Sequence, residues 1–147
     1  MGAPAILSIG SEAPDQAAET RIVVVDTHHD RRQLMRYVLE LGSRGRASVA
    51  FAEGPDSAVG AVERLDADAV LVEVQIPVAH GLETVRRLRE AAPELRIVVC
   101  SFHTDAPTMA TALSLGADAY LKKPLRPTEL YHALRKPTAA TTTKERS

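Results

Sequence analysis

The chain has 147 residues, the length of one ordinary domain and too short for two. An apolar share of 45% is enough for a buried core, and a net charge of -1 leaves no basic field or polybasic block to gather nucleic acid. No apolar run approaches the roughly 20 residues that span a bilayer, and Ala5-Ile-Leu-Ser-Ile9 lacks the basic leader and the length of a secretion signal.

In chain order, Met1 to Thr20 is rich in Ala, Gly, Pro and acidic residues and reads as a flexible N-terminal tail. Ile22-Val-Val-Val25 is a β-branched run closed by Asp26, the form of a strand covered on both faces. The next segment carries Leu34, Tyr37, Val38 and Leu41 on one helical stripe, with Gly42 as the expected C-cap. Ala47 to Ala52 is a second, weaker strand, and Pro55 opens a helix that turns Val59, Val62 and Leu65 inward. The third strand is Ala69-Val-Leu-Val72, and its helix carries Leu82, Val85 and Leu88. The fourth, Arg96 to Ser101, contains Cys100, which reads as a buried strand residue and, as the single cysteine, permits no internal disulfide. A helix from about Asp105-Ala-Pro107 to Gly116, a short strand Ala119-Tyr-Leu121 and a helix opened by Pro127, with Leu130, Ala133 and Leu134 inward, complete the pattern. Pro137 to Ser147 is almost without apolar residues and reads as a second flexible tail.

These alternating segments place residues 21–136 in the α/β class, with helices on both faces of a parallel sheet. Right-handed crossovers and short loops favour a flavodoxin-like (βα)5 doubly wound sheet with strand order 2-1-3-4-5. Functional groups in such a sheet gather outside the C-terminal ends of the central strands. Here those ends supply Asp26, Glu73, Ser101 and, after the fifth strand, Lys123.

Four stretches occur in order around those residues: Val25-Asp-Thr-His28, Glu73-Val-Gln-Ile-Pro77 with Gly81-Leu-Glu83, Ser101-Phe-His103, and Gly116-Ala-Asp-Ala-Tyr-Leu-Lys-Lys-Pro124. Together they resemble the receiver domain of bacterial response regulators, from Arg21 to about Lys136. The resemblance implies adjacent carboxylates that bind Mg2+, and a nucleophilic aspartate at position 73 that accepts a phosphoryl group. It implies that Ser101 and Lys123 grip the phosphate, that Tyr120 is the aromatic switch, and that the Lys123–Pro124 bond is cis and aims Lys123 at the pocket.

The sequence departs from that pattern twice. Thr27 stands where the second acid would be, and a neutral hydroxyl is a poor Mg2+ ligand beside a carboxylate. Glu73 stands where the nucleophile would be, one methylene longer. A misplacement on the order of 1 Å costs about a hundredfold in rate. The expected pocket of Asp26, Thr27, Glu73, Ser101 and Lys123 is therefore degenerate, with Mg2+ binding weak or absent and no catalytic residue. Glu73 could instead reach Lys123 and Ser101 and imitate the phosphorylated state with about one negative charge, or be an acid merely solvated or paired with Lys123.

Other motifs read as structural. His28-His29-Asp30 are adjacent and do not share a face, unlike a metal-binding i, i+4 pair, and His80, His103 and His132 are scattered surface residues. Asp26-Thr-His28 also resembles the Asp-x-His-x-x-Gly motif of cobalamin-binding domains, but Arg31 replaces the glycine and no later Gly-Gly pair follows. A flavin phosphate cradle needs small residues after the first strand, and Asp-Thr-His-His-Asp supplies none. Arg31, Arg32, Arg86, Arg87 and Arg89 read as solvated helix faces.

The expectation is a stand-alone, cytoplasmic, non-enzymatic receiver-like domain acting as a regulatory or accessory subunit of a larger assembly. It would bind a protein partner through the fourth helix, fifth strand and fifth helix, around Tyr120, Lys122, Pro124 and Arg126, and through its tails. No nucleic acid and no membrane insertion are expected, since no helix-turn-helix follows. The alternative is a receiver that a histidine kinase still phosphorylates.

Overall fold

A computed structural model describes residues 19–75 and 77–135. Both expected tails, apart from Glu19 and Thr20, lie outside the described residues, as does Lys136. The strands are β1 (Thr20–Val25), β2 (Ala47–Ala52), β3 (Ala69–Glu73), β4 (Arg96–Ser101) and β5 (Ala119–Lys122). The helices are α1 (His29–Ser43), α2 (Pro55–Leu65), α3 (Val78–Ala91), α4 (Ala106–Ser114) and α5 (Pro127–Leu134). All strand pairs are parallel, in the order β2-β1-β3-β4-β5. This is the flavodoxin-like arrangement that the alternating pattern implies.

Successive strand residues point to opposite faces, and the core divides accordingly. Val23, Val25, Val70, Val72, Ile97 and Val99 pack under α2, α3 and α4, against residues such as Val62, Val85 and Ala112. Ile22, Val24, Leu71, Val98 and Cys100 pack under α1 and α5, against Met35, Leu39, Leu130 and Leu134. The order brings the C-terminal ends of β1 and β3 side by side, with β4 next, so Asp26, Glu73 and Ser101 share one edge.

Helix α1 departs from the expected orientation. Leu34, Tyr37 and Leu41 are exposed, and the buried stripe is Met35, Leu39 and Ser43, with Val38 half-buried between the two. The helix carries apolar residues on two faces, and packing on α5 selects one. Gly42 lies inside the helix and is not its cap: a Cβ there would stand 2.1 Å from the Pro127 carbonyl oxygen, so glycine lets α5 approach. The helix ends instead at Arg44, which is left-handed with φ 56°. Gly116, with φ 123°, ends the α4 turn, and Arg89 donates to its carbonyl at 2.7 and 3.1 Å.

Candidate functional site

Glu73 ends β3 with its side chain 5% exposed. Its Oε1 lies 2.6 Å from Lys123 Nζ, and its Oε2 accepts from the Cys100 thiol at 3.3 Å. Lys123 follows β5, and its backbone N–H donates to the Ser101 carbonyl at 3.0 Å. The Lys123–Pro124 bond is cis, as the resemblance implies. The ammonium also lies 5.4 Å from the ring centre of Phe102, which is 70% exposed. Lys123 thus connects a buried carboxylate to a surface aromatic.

Ser101 is buried but does not bond Glu73. Its hydroxyl donates to the Val74 carbonyl at 2.5 Å and accepts from the His103 N–H at 2.8 Å. Of the two groups that Glu73 was expected to reach, the structure brings Lys123 alone. Tyr120 is half-buried against the α2–α3–α4 side of the core, and its hydroxyl donates to the His103 carbonyl. Lys122, Pro124 and Arg126 are exposed. Burial, with Glu73 adding to it, pushes the Cys100 thiol well above its ordinary value. Burial also pushes the Tyr120 phenol up.

At the end of β1, Asp26 is buried and fully engaged. Arg31 Nε donates to Oδ2 at 2.8 Å and Arg31 Nη2 to Oδ1 at 3.0 Å. The His28 N–H donates to Oδ1 at 2.9 Å, and the Gln75 amide reaches the same oxygen at 3.4 Å. Arg31 Nη2 also lies 2.6 Å from both Gln75 Oε1 and His28 Nδ1, so its two N–H bonds are shared among three acceptors. Arg32 Nη1 donates to the Asp26 carbonyl at 2.8 Å. Burial raises the Asp26 pKa, but the Arg31 and His28 hydrogen bonds and the Arg31 charge outweigh it and hold the carboxyl below its ordinary value. Asp26 in turn raises Arg31. Thr27 is exposed, its hydroxyl 3.0 Å from His28 Nδ1.

Between the two carboxylates opens a cavity of about 120 Å³, bordered by Asp26, Thr27, Glu53, Glu73, Gln75 and His80. Asp26, Thr27, Glu73, Ser101 and Lys123 are the groups expected at this edge; Gln75, Arg31 and Arg32 join it unexpectedly. Arg31, 36% exposed, and Arg32, 13% exposed, do not extend into solvent: they fold back from the first turn of α1 onto Asp26. Their spacing from Asp26, five and six residues across a strand–helix turn, was the available signal. Arg89 likewise departs from a solvated face, holding Gly116 and Asp118. His28 enters the Asp26 network through ring and backbone, His103 bonds Ser101 and Tyr120 through its backbone, and His80 and His132 are exposed.

A family model described as the response regulator receiver domain matches residues 22–135. The nitrate/nitrite response regulator NarL of Escherichia coli strain K12 is 33% identical over 113 residues, 77% of this chain and 52% of that protein. The signal receiver domain of a NarL response regulator from Mycobacterium tuberculosis has a TM-score of 0.68 at 25% identity, covering 78% of this chain and 92% of that one. A response regulator protein from Burkholderia pseudomallei, crystallised with a phosphorylated aspartic acid, a calcium ion and citrate, shares the fold with a TM-score of 0.66. Its identity is 23%, over 86% of this chain and 73% of that one. The chain spans about half the length of the curated relatives it matches.

Proposed function

The chain belongs to the response regulator receiver domain family, and from that premise we propose that it is an atypical member working without phosphorylation, as a protein-interaction module. The observation that carries this reading is the Glu73–Lys123 pair at 2.6 Å. The lysine that would grip a phosphoryl group is already held by a fixed carboxylate. Tyr120 is also held, with its hydroxyl on the His103 carbonyl. Glu73 supplies about one negative charge where a phosphoryl group would bring nearly two, so it imitates the phosphorylated state only in part.

In this reading the degenerate pocket is Asp26, Thr27, Glu73, Ser101 and Lys123, and none of them performs catalysis. The partner is a protein, docked on the face of α4, β5 and α5 around Tyr120, Lys122, Pro124 and Arg126. Phe102 and Leu113, 70% and 47% exposed, supply apolar area beside that face. The domain would serve as a regulatory or accessory subunit in the cytoplasm, without nucleic acid. Among the described residues no helix is long and apolar enough to cross a membrane.

The competing reading, a receiver still phosphorylated by a histidine kinase, draws on the relatives, one of which carries a phosphorylated aspartic acid. The two separate in a binding experiment with the partner purified from the native cells. Affinity is expected to be unchanged by a small phosphodonor with Mg2+, and to fall at least about tenfold in Tyr120→Ala and Lys122→Glu. Affinity that rises with the phosphodonor, and does so no longer in Glu73→Gln, would establish the competing reading.

A further inference from the structure

We propose that the guanidinium of Arg31 is the resident cation of this pocket, taking the place at Asp26 that a divalent metal ion would otherwise hold. A hard dication such as Mg2+ needs free oxygen ligands in near-octahedral array and dehydrates reluctantly. The donor set here does not fit one. Both Asp26 oxygens accept from the Arg31 fork, at 2.8 and 3.0 Å. The Gln75 side-chain oxygen accepts from the same guanidinium at 2.6 Å. Thr27 is an exposed hydroxyl 3.0 Å from His28 Nδ1, and Glu73 is paired with Lys123.

Arg31 also does what a metal would do structurally. It ties the loop after β1 to the loop after β3, through Asp26 and His28 on one side and Gln75 on the other. Two buried carboxylates, Asp26 and Glu73, are each paired with a cation of the chain, the partly exposed Arg31 and the mostly buried Lys123, so charge balance needs no added ion. Arginine suits the role because it stays charged, is weakly hydrated and presents a planar fork that matches a carboxylate. The inference stands on Arg31 and Asp26 and holds whether or not Glu73 accepts a phosphoryl group.

The consequence is a latent cation site. With the guanidinium gone, Asp26 Oδ2 and the Gln75 amide oxygen would lose their donor at the edge of the cavity of about 120 Å³, while Asp26 Oδ1 keeps the His28 N–H. The test is Mn2+ titration of the full chain, followed by water-proton relaxation. Wild type is expected to show no site that Asp26→Asn removes. Arg31→Met, which keeps much of the volume without the charge, should gain at least about tenfold in Mn2+ affinity, because like-charge repulsion at this range is large. That gain should disappear in Arg31→Met with Asp26→Asn. Should Arg31→Met not fold, Arg31→Lys carries the comparison, since it keeps a cation but loses the fork, and a gain of at least about threefold is expected. Wild-type Mn2+ binding that Asp26→Asn abolishes, or no gain in the folded Arg31 variant, would overturn the proposal.

Discussion

Removing the Glu73–Lys123 pair one partner at a time should cost unequal amounts of stability and expose a large coupling between the two. Both side chains are nearly buried, 5% and 13% exposed, and their charged atoms are 2.6 Å apart. At an effective dielectric constant of about 20 the gross attraction is about 6 kcal/mol, and the dehydration of two ions offsets a large part of it. Lys123→Met strands the Glu73 carboxylate with a weak thiol donor 3.3 Å away, at a cost of about 3–5 kcal/mol. Glu73→Gln is milder, about 1–3 kcal/mol, because Lys123 keeps the Phe102 ring at 5.4 Å and can turn toward water. The double variant leaves no buried charge, so it should be destabilised by less than the sum, with a coupling of about 2–3 kcal/mol. Urea unfolding of the four proteins at neutral pH reads this directly. A coupling below about 0.5 kcal/mol, the value of an exposed pair, would refute the claim that these charges are fixed on each other.

Three further outcomes follow from the packing. Leu39→Ala should cost about 2–5 kcal/mol in urea unfolding, whereas Leu34→Ala, on the exposed side of the same helix, should stay within about 0.5 kcal/mol. Gly42→Ala should destabilise by about 1–3 kcal/mol or more, read as a lowered melting temperature, since its methyl would overlap the Pro127 carbonyl. The Cys100 thiol, raised well above 9.0 chiefly by burial, should resist iodoacetamide at pH 8 in the native protein and react once urea unfolds it. Because its folded value is the raised one, its contribution to stability is fully present below about pH 9 and lost as pH rises beyond.

The strands were legible because fully covered parallel strands require uninterrupted apolar runs, and Ile22-Val-Val-Val25 and Ala69-Val-Leu-Val72 are such runs. Once their ends were placed, Asp26 and Glu73 fell at the sheet edge. The face of α1 was not legible. Leu34, Tyr37, Val38 and Leu41 match a helical stripe as well as Met35, Val38 and Leu39 do, and the choice is made by α5 resting on Gly42. The same limit hid Arg31. A charge beside other charges on a helix reads as solvated, and only the turn from β1 into α1 brings its fork onto Asp26. Ser101 shows the limit at the scale of one bond: its position at the end of β4 was expected, its donation to the Val74 carbonyl was not.

The central claim is that Glu73 is a fixed anion and not a phosphoryl acceptor, and its most direct test is intact mass after incubation with a small phosphodonor and Mg2+. The account predicts an unchanged mass for the wild-type chain and for Glu73→Gln alike. A gain of one phosphoryl group in the wild type, absent from Glu73→Gln, would contradict it.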